Sequence, residues 1–179
     1  MAIRKIVIYG SSVLRQKTSP VIEIDQTIRD LVEDMVETMI EAEGIGLAGP
    51  QVDECISLCV VNMGLIEDDV EAKAFINPVI LSEEGTAVLE EGCLSIPEIR
   101  EDVRRPEKII VKYTDINGIE HQEKCDGLLA RVLQHEIDHL NGVLFIDRIG
   151  PMKRKLLAKK LKRLSQESRQ DRYAFAGKE

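Results

Sequence analysis

The segment QHEIDHLNG, Gln134 to Gly142, holds two of the chain's three histidines and sets them four positions apart. Four residues is just over one helical turn, so on a helix His135 and His139 share a face with Cβ atoms roughly 5–6 Å apart. That spacing suits two ligands of one metal ion. Glu136 projects about 100° round the helix from His135, close enough to reach a water on the metal without binding the metal itself. A working tetrahedral site wants three protein ligands and one open position for water, so two histidines leave at least one ligand to be found.

The candidate third ligand lies in EEGCLSIPE, Glu90 to Glu98. Gly92 lets the backbone bend sharply before Cys93, and Pro97 helps to end the segment, which reads as a loop. A loop glycine also leaves neighbouring N–H groups without strand partners, able to bind an anion. Cys55, Cys59 and Cys125 read instead as small buried hydrophobes. A third segment, EGIGLAGPQV (Glu43 to Val52), carries glycines 44, 46 and 49. It lacks the Walker lysine and serine, and its GxGxxG pattern follows a helix instead of a strand, which sets nucleotide binding aside. Ile45, Leu47, Ala48 and Val52 make it too apolar for a solvated loop. Close approach of backbone to a ligand, with Gln51 pointing into a pocket, is the better account.

These three segments need elements to carry them. From Asp25, an expected N-cap, the apolar positions Ile28, Leu31, Val32, Met35, Val36, Met39 and Ile40 predict an amphipathic helix closed by Gly44. ISLCVVNM and AFINPVI predict strands, and EKIIVKYTD and IEHQEKC flank the turn pair Asn117-Gly118 as an antiparallel hairpin. From Gly127, with Asp126 as expected cap, Leu128, Val132, His135 and His139 form one helical stripe, flanked by Leu129, Leu133, Glu136 and Leu140 and closed by Asn141-Gly142. The histidines therefore continue a buried face, where their imidazoles need partners. Pro151 opens a last helix with Leu156, Leu157, Leu161 and Leu164 in a narrow apolar stripe among basic residues.

The chain has 179 residues, 44% hydrophobic and 31% charged, which fits one domain with a real core. It contains no apolar run long enough to span a bilayer, and the start shows no small-residue cleavage site. Four cysteines without a CxxC pair point to a reducing compartment, the cytosol or an organelle matrix. The net charge of -8 is uneven: ten Lys or Arg against three Asp or Glu from Ile149 onward give +7, and 14 against 29 before it give -15. The bland reading of that tail is a solvated helix; the functional one is an electrostatic match for RNA or an acidic protein surface.

GIGLAGPQ, EGCLS and HEIDHLNG, in this order and at these separations, resemble the three signature motifs of peptide deformylases, over roughly Ile3 to Arg148. The resemblance implies removal of the N-formyl group from the N-terminal formylmethionine of nascent polypeptides. It implies Cys93, His135 and His139 as ligands of one divalent metal, and a metal-bound hydroxide with Glu136 as general base and acid. Gln51 and the backbone N–H of Leu94 would hold the oxyanion. Ile45, Gly46, Leu128 and Val132 would receive the methionine and pair with its backbone. Fe(II) is the metal implied, with Ni(II), Co(II) or Zn(II) as replacements; ligand type alone suggests zinc. A ribosome contact through Lys155, Lys159, Lys162 and Arg163, a monomer, a cytoplasmic location and no membrane association are likewise expected.

Two positions depart from the family pattern. Gly49 stands where alanine is usual, which would loosen Gln51, and Arg131 stands where an apolar residue is frequent, which would narrow or polarise the pocket rim. The expected fold is α+β: one domain of antiparallel strands around a central metal-bearing helix, with an N-terminal amphipathic helix and a basic C-terminal one. Residues 1–150 would form the catalytic part and 151–179 the basic helix and tail of the same domain. A zinc-type endopeptidase would share HEIDH but prefer internal peptide bonds, and a metal-stabilised binding module would have no use for Glu136.

Overall fold

Asp25 starts the first helix, α1 (Gln26–Glu41), by accepting a hydrogen bond from the Ile28 N–H at 3.0 Å. This satisfies one of the donors that a helix start leaves free. The structure is a computed structural model and describes residues 2–176, with side chains through Ser168. Leu31, Met35 and Met39 are buried as the spacing predicts, but Ile40 is 54% exposed. It sits about 100° round the helix from Met39, too far to share that face. The helix end also differs from expectation: Glu43 takes the left-handed conformation (φ 54), while Gly44 donates its N–H to the Met39 carbonyl. A Cβ at 44 would lie 2.8 Å from Cδ1 of Leu94, so a larger residue there would have to displace that side chain.

The strands that follow among the described residues are β1 (Gly46–Ala48), β2 (Leu58–Val61), β3 (Lys73–Glu84), β4 (Ala87–Cys93), β5 (Ile96–Arg105), β6 (Lys108–Thr114) and β7 (Glu120–Cys125). Five of them form an antiparallel sheet in the order β1-β2-β3-β6-β7, and β4 and β5 make a separate hairpin. Every residue of β2 is buried. Leu58 and Val60 pack towards α1, while Cys59 and Val61 join the cluster around the second helix, α2 (Gly127–Leu140). Burial on both faces is why this strand reads as a continuous apolar run. The β6–β7 turn falls at Asn117-Gly118 as predicted, with Gly118 left-handed (φ 82) and the Asp115 carboxylate accepting from the Asn117 and Ile119 N–H groups.

α2 is the central element. Every residue from Ala130 to Leu140 is buried, and Ala130, Leu133, Ile137 and Leu140 pack on the sheet. Asp126 occupies its N-cap, but Gly127 enters the helix with φ 53 and the Asp126 side chain makes no capping bond. At the far end Gly142 is left-handed (φ 73), as a closing glycine should be.

The β4–β5 hairpin is the element that the hydrophobic pattern does not announce. Two of its inward-facing residues, Glu91 and Arg105, are charged, so no apolar alternation marks the strands. The segment EEGCLSIPE is therefore mostly strand, with a two-residue turn at Leu94-Ser95, and not the loop expected. Along the same buried face β5 packs Ile99 and Val103, and with them Ile96, against Leu144, Phe145, Ile146 and Ile149, and against Leu161 and Leu164 of the last helix, α3 (Pro151–Ala176). Leu157 joins this contact, but Leu156, one position away, is 77% exposed and leaves the predicted stripe. No helix among the described residues is long and apolar enough to cross a membrane.

Met35→Ala is expected to cost about 2–5 kcal/mol in urea denaturation, the usual loss for a buried side chain reduced to a methyl. The exposed neighbour in the stripe gives the contrast: Ile40→Ala should stay within about 0.5 kcal/mol.

Candidate metal centre

α2 presents His135 and His139 one turn apart, with ring centroids 5.0 Å from each other. Cys93 arrives from the end of β4, where the register shifts between Gly92 and Cys93 and turns the strand towards the helix. Its Sγ lies 3.3 Å from His139 Nε2, and the ligand atoms of Cys93, His135 and His139 all lie within 4.8 Å of one another. His135 Nδ1 is 3.0 Å from Glu91 Oε2, which fixes the ring and turns its other nitrogen towards Cys93, where it could serve as a ligand. His139 is deeply buried and its Nδ1 finds no hydrogen-bond partner.

The two rings differ in charge preference. Burial opposes a charge on His135, but the contacts with Cys93 and Glu91 outweigh it and raise its pKa well above the ordinary imidazole value. Burial, together with the positive charges of His135 and Arg105, holds His139 well below that value, so it keeps a lone pair. One thiol sulfur and two imidazole nitrogens, converging inside a buried cluster, fit a divalent first-row transition metal.

Glu136 lies beside this set with 4% of its surface exposed, and its Oε2 has no hydrogen-bond partner. Burial pushes its carboxyl up to about 7. The glycine-rich segment makes room for it, since a Cβ on Gly46 would overlap Oε1 of Glu136. Gln51 is likewise buried: its Oε1 accepts from the Ala48 N–H at 2.9 Å, so Nε2 is left to face Ser95 Oγ (3.2 Å) and Cys93 Sγ (3.6 Å). The carbonyls of Gln51 and Ser95 are in turn held by the Val7 and Tyr9 N–H groups of the N-terminal segment.

At Gly49 the fold leaves little room for a side chain. The backbone of residues 54–58 crosses so close that a Cβ at 49 would lie 2.7 Å from the Glu54 carbonyl oxygen and 3.0 Å from that of Ile56. Arg131 borders the cavity, but its guanidinium is buried against Glu91 and the hairpin backbone. A cavity of about 630 Å³ opens over the cluster. Ile45, Gly46, Gln51, Leu94, Leu128 and Val132 border it together with Cys93, His135 and Glu136, so the three sequence segments do meet around one space. Lys155, Lys159, Lys162 and Arg163 are exposed on α3 and border no part of it; Arg163 pairs with Glu98 at 2.9 Å.

Sequence reading missed the charged residues behind the candidate ligands. Glu91 receives Arg105 through Nε at 2.6 Å and Nη2 at 2.9 Å, and Arg105 Nη1 reaches Asp138 Oδ2 at 2.7 Å. Arg148 holds Asp138 from the surface side. Despite burial, the hydrogen bonds from Arg105 and His135 keep Glu91 ionised, well below the usual carboxylate range. The available signal was Glu91 itself, two residues before a candidate ligand in a segment with strand-like length.

A half-buried thiol and two buried imidazoles beside a carboxylate with an unpaired oxygen, bordering a cavity in an α+β domain, fit a metal-dependent hydrolase. Residues 3–155 match the model of the polypeptide deformylase family, and the chain belongs to that family. It is 48% identical over 161 residues to the peptide deformylase of Afipia carboxidovorans, covering 89% of this chain and 94% of that protein. With the peptide deformylase of Mesorhizobium japonicum the identity is 44% over 168 residues, covering 93% and 96%. Among solved structures, the peptide deformylase of Legionella pneumophila superposes with a TM-score of 0.85 at 41% identity, covering 92% of this chain and 96% of that one. The enzyme of Synechococcus elongatus, in complex with actinonin, gives 0.82 at 40%, covering 89% and 94%.

Gly46→Ala should displace Glu136 and lower turnover on the order of 10²-fold, with metal content per chain unchanged by elemental analysis. Gly49→Ala, which restores the residue usual in the family, should destabilise this chain by about 1–3 kcal/mol in thermal or urea unfolding.

Proposed function

We propose that this chain removes the N-formyl group from the N-terminal formylmethionine of nascent polypeptides, releasing formate. The observation that carries the reading is Glu136, a buried carboxylate with an unpaired oxygen beside the Cys93, His135 and His139 cluster and inside the cavity. Cys93, His135 and His139 hold one divalent metal, Fe(II) in the reading favoured by the resemblance, with Ni(II), Co(II) and Zn(II) as replacements. Such a metal, when bound, brings the pKa of a water towards neutrality and polarises a carbonyl oxygen.

The chain's own residues supply the remaining needs of formamide hydrolysis. Glu136 takes the proton of the attacking water and delivers it to the departing amine, which would otherwise leave as an unstable anion. The Gln51 amide, fixed by Ala48 and Ser95, and the Leu94 N–H donate to the oxygen that gains charge as the carbonyl carbon becomes tetrahedral. Ile45, Leu128 and Val132 offer apolar walls for the methionine side chain, and Ile45 with Gly46 at the start of β1 offers backbone for an added strand of substrate. The exposed lysines of α3 and Arg163 supply a cationic surface for weak, salt-sensitive ribosome contact. A monomer acting in the cytoplasm completes the reading.

Protein purified without oxygen and loaded with Fe(II) or Ni(II) should release formate from formyl-Met-Ala-Ser. A chelator should abolish the release and added metal restore it. Glu136→Ala should bind metal and release nothing measurable, and Gln51→Ala should lose about 10²–10³ in kcat. Formate release that survives Glu136→Ala would sink the assignment. Cleavage of unformylated internal peptide bonds would point to an endopeptidase instead. Deleting the residues after Pro151 should weaken co-sedimentation with ribosomes at low salt, and unchanged co-sedimentation would remove the ribosome contact from the reading.

A further inference from the structure

The β4–β5 hairpin delivers Cys93, yet little apolar packing ties its far end to α2. Two strands alone are marginal in water. Val88 and Leu89 are about half exposed, and the inward residues Glu91 and Arg105 are charged. What joins the hairpin to the histidine-bearing helix is a set of buried polar contacts, and Arg131 makes three of them. Its Nη1 donates to Glu91 Oε1 and to the Val103 carbonyl, each at 2.9 Å, and its Nη2 donates to the Ala87 carbonyl at 3.0 Å. Ala87 lies on β4 and Val103 on β5, so one guanidinium from α2 grips both strands.

The same contacts decide where Glu91 points. Oε1 is taken by Arg105 Nε and Arg131 Nη1, and Oε2 by Arg105 Nη2 and His135 Nδ1. With Oε1 doubly occupied, the carboxylate is held with Oε2 towards the imidazole. Charge balances as well: Arg105 and Arg131 face Glu91 and Asp138 in one buried group, edged by the half-exposed Arg148. Arg131 also borders the cavity, but its head group is committed to these protein acceptors.

We propose that Arg131 is a positioning residue for the metal centre, clamping both strands of the hairpin and Glu91 to α2 and so setting Cys93 and the His135 ring relative to each other. The inference rests on the reading of Cys93, His135 and His139 as metal ligands. It differs from a substrate role at the pocket rim, and from plain core filling, in what each variant should change.

The test uses the full chain loaded with Co(II), comparing wild type with Arg131→Met and Arg131→Lys. The readouts are the cobalt–thiolate absorption, metal release to a competing chelator well below the melting temperature, and kcat and KM on a formyl-methionyl peptide. Arg131→Met should release metal about 10–100-fold faster, the usual scale for losing a group that orients a ligand. Its cobalt spectrum should change and its kcat fall, with KM within about twofold of wild type. Arg131→Lys, which keeps the charge but cannot reach three acceptors at once, should fall between the two. If Arg131→Met does not fold, the lysine variant decides: metal release at the wild-type rate would overturn the proposal. So would an unchanged spectrum and release rate beside a lower melting temperature, which means packing alone, or a raised KM with an unchanged spectrum, which means a substrate wall. Wild type that holds cobalt but releases no formate would count against the deformylase reaction and leave the positioning role standing, whereas wild type that binds no metal through these residues would overturn both.

Discussion

The structure turns on the buried ion pair between Glu91 and Arg105. Arg105 is the largest fully buried side chain, and burying two such charges costs several kcal/mol per ion before any contact is made. The cost is offset because every oxygen of Glu91 has a donor and because Asp138 takes a further donor of Arg105. Such a pair is weak support for stability, since apolar residues of the same volume would serve as well or better. Its value lies in direction. A carboxylate with fixed neighbours fixes the tautomer and the plane of the imidazole it meets, and greasy packing cannot do that.

Around that pair the domain divides its labour. The five-stranded sheet and its two flanking helices supply rigid packing, with β2 buried on both faces and α2 buried along nearly its whole length. The hairpin supplies the thiol, and the glycine-rich segment supplies shape. Gly46 is small so that Glu136 can lie across β1, and Gly49 is small so that the turn behind Gln51 can close. The N-terminal segment ties this arrangement together from outside, through one hydrogen bond to the carbonyl of Gln51 and another to that of Ser95. Residues outside the cluster thus determine where Cys93, Glu136 and Gln51 stand.

Much of this was legible in the sequence. His135, Glu136 and His139 could be read because helical period and ligand spacing coincide, and α1 because its cap and apolar stripe agree. Gln51 stood out as one polar side chain in an apolar segment. The hairpin could not be read, because the inward positions at 91 and 105 carry charges where period-two reasoning looks for Val or Ile. The partners of Arg131 could not be read either: a charged residue beside a pocket suggests the rim, which it does border, and only the fold brings its guanidinium two carbonyls and a carboxylate to bind. At Gly49 the sequence shows a missing side chain; the crossing backbone that requires its absence comes from residues 54–58, brought back by the turn that follows.

The wide separation of the three segments has a consequence for how the protein matures. Cys93 and His139 are 46 residues apart, and Gln51 precedes Cys93 by another 42. None of the local hairpins or helices contains a complete ligand set, so the centre is assembled from contacts of long sequence separation, which close late and slowly. During synthesis the thiol leaves the ribosome well before its imidazole partners and has no built site to protect it. On the proposed reading of Cys93, His135 and His139 as ligands, capture of metal waits until α2 has docked, and binding then stabilises the native state because it favours that state over the open chain. An emerging chain therefore passes through an interval in which Cys93 has not yet met His135 and His139, and the speed of sheet and helix closure sets how long that interval lasts.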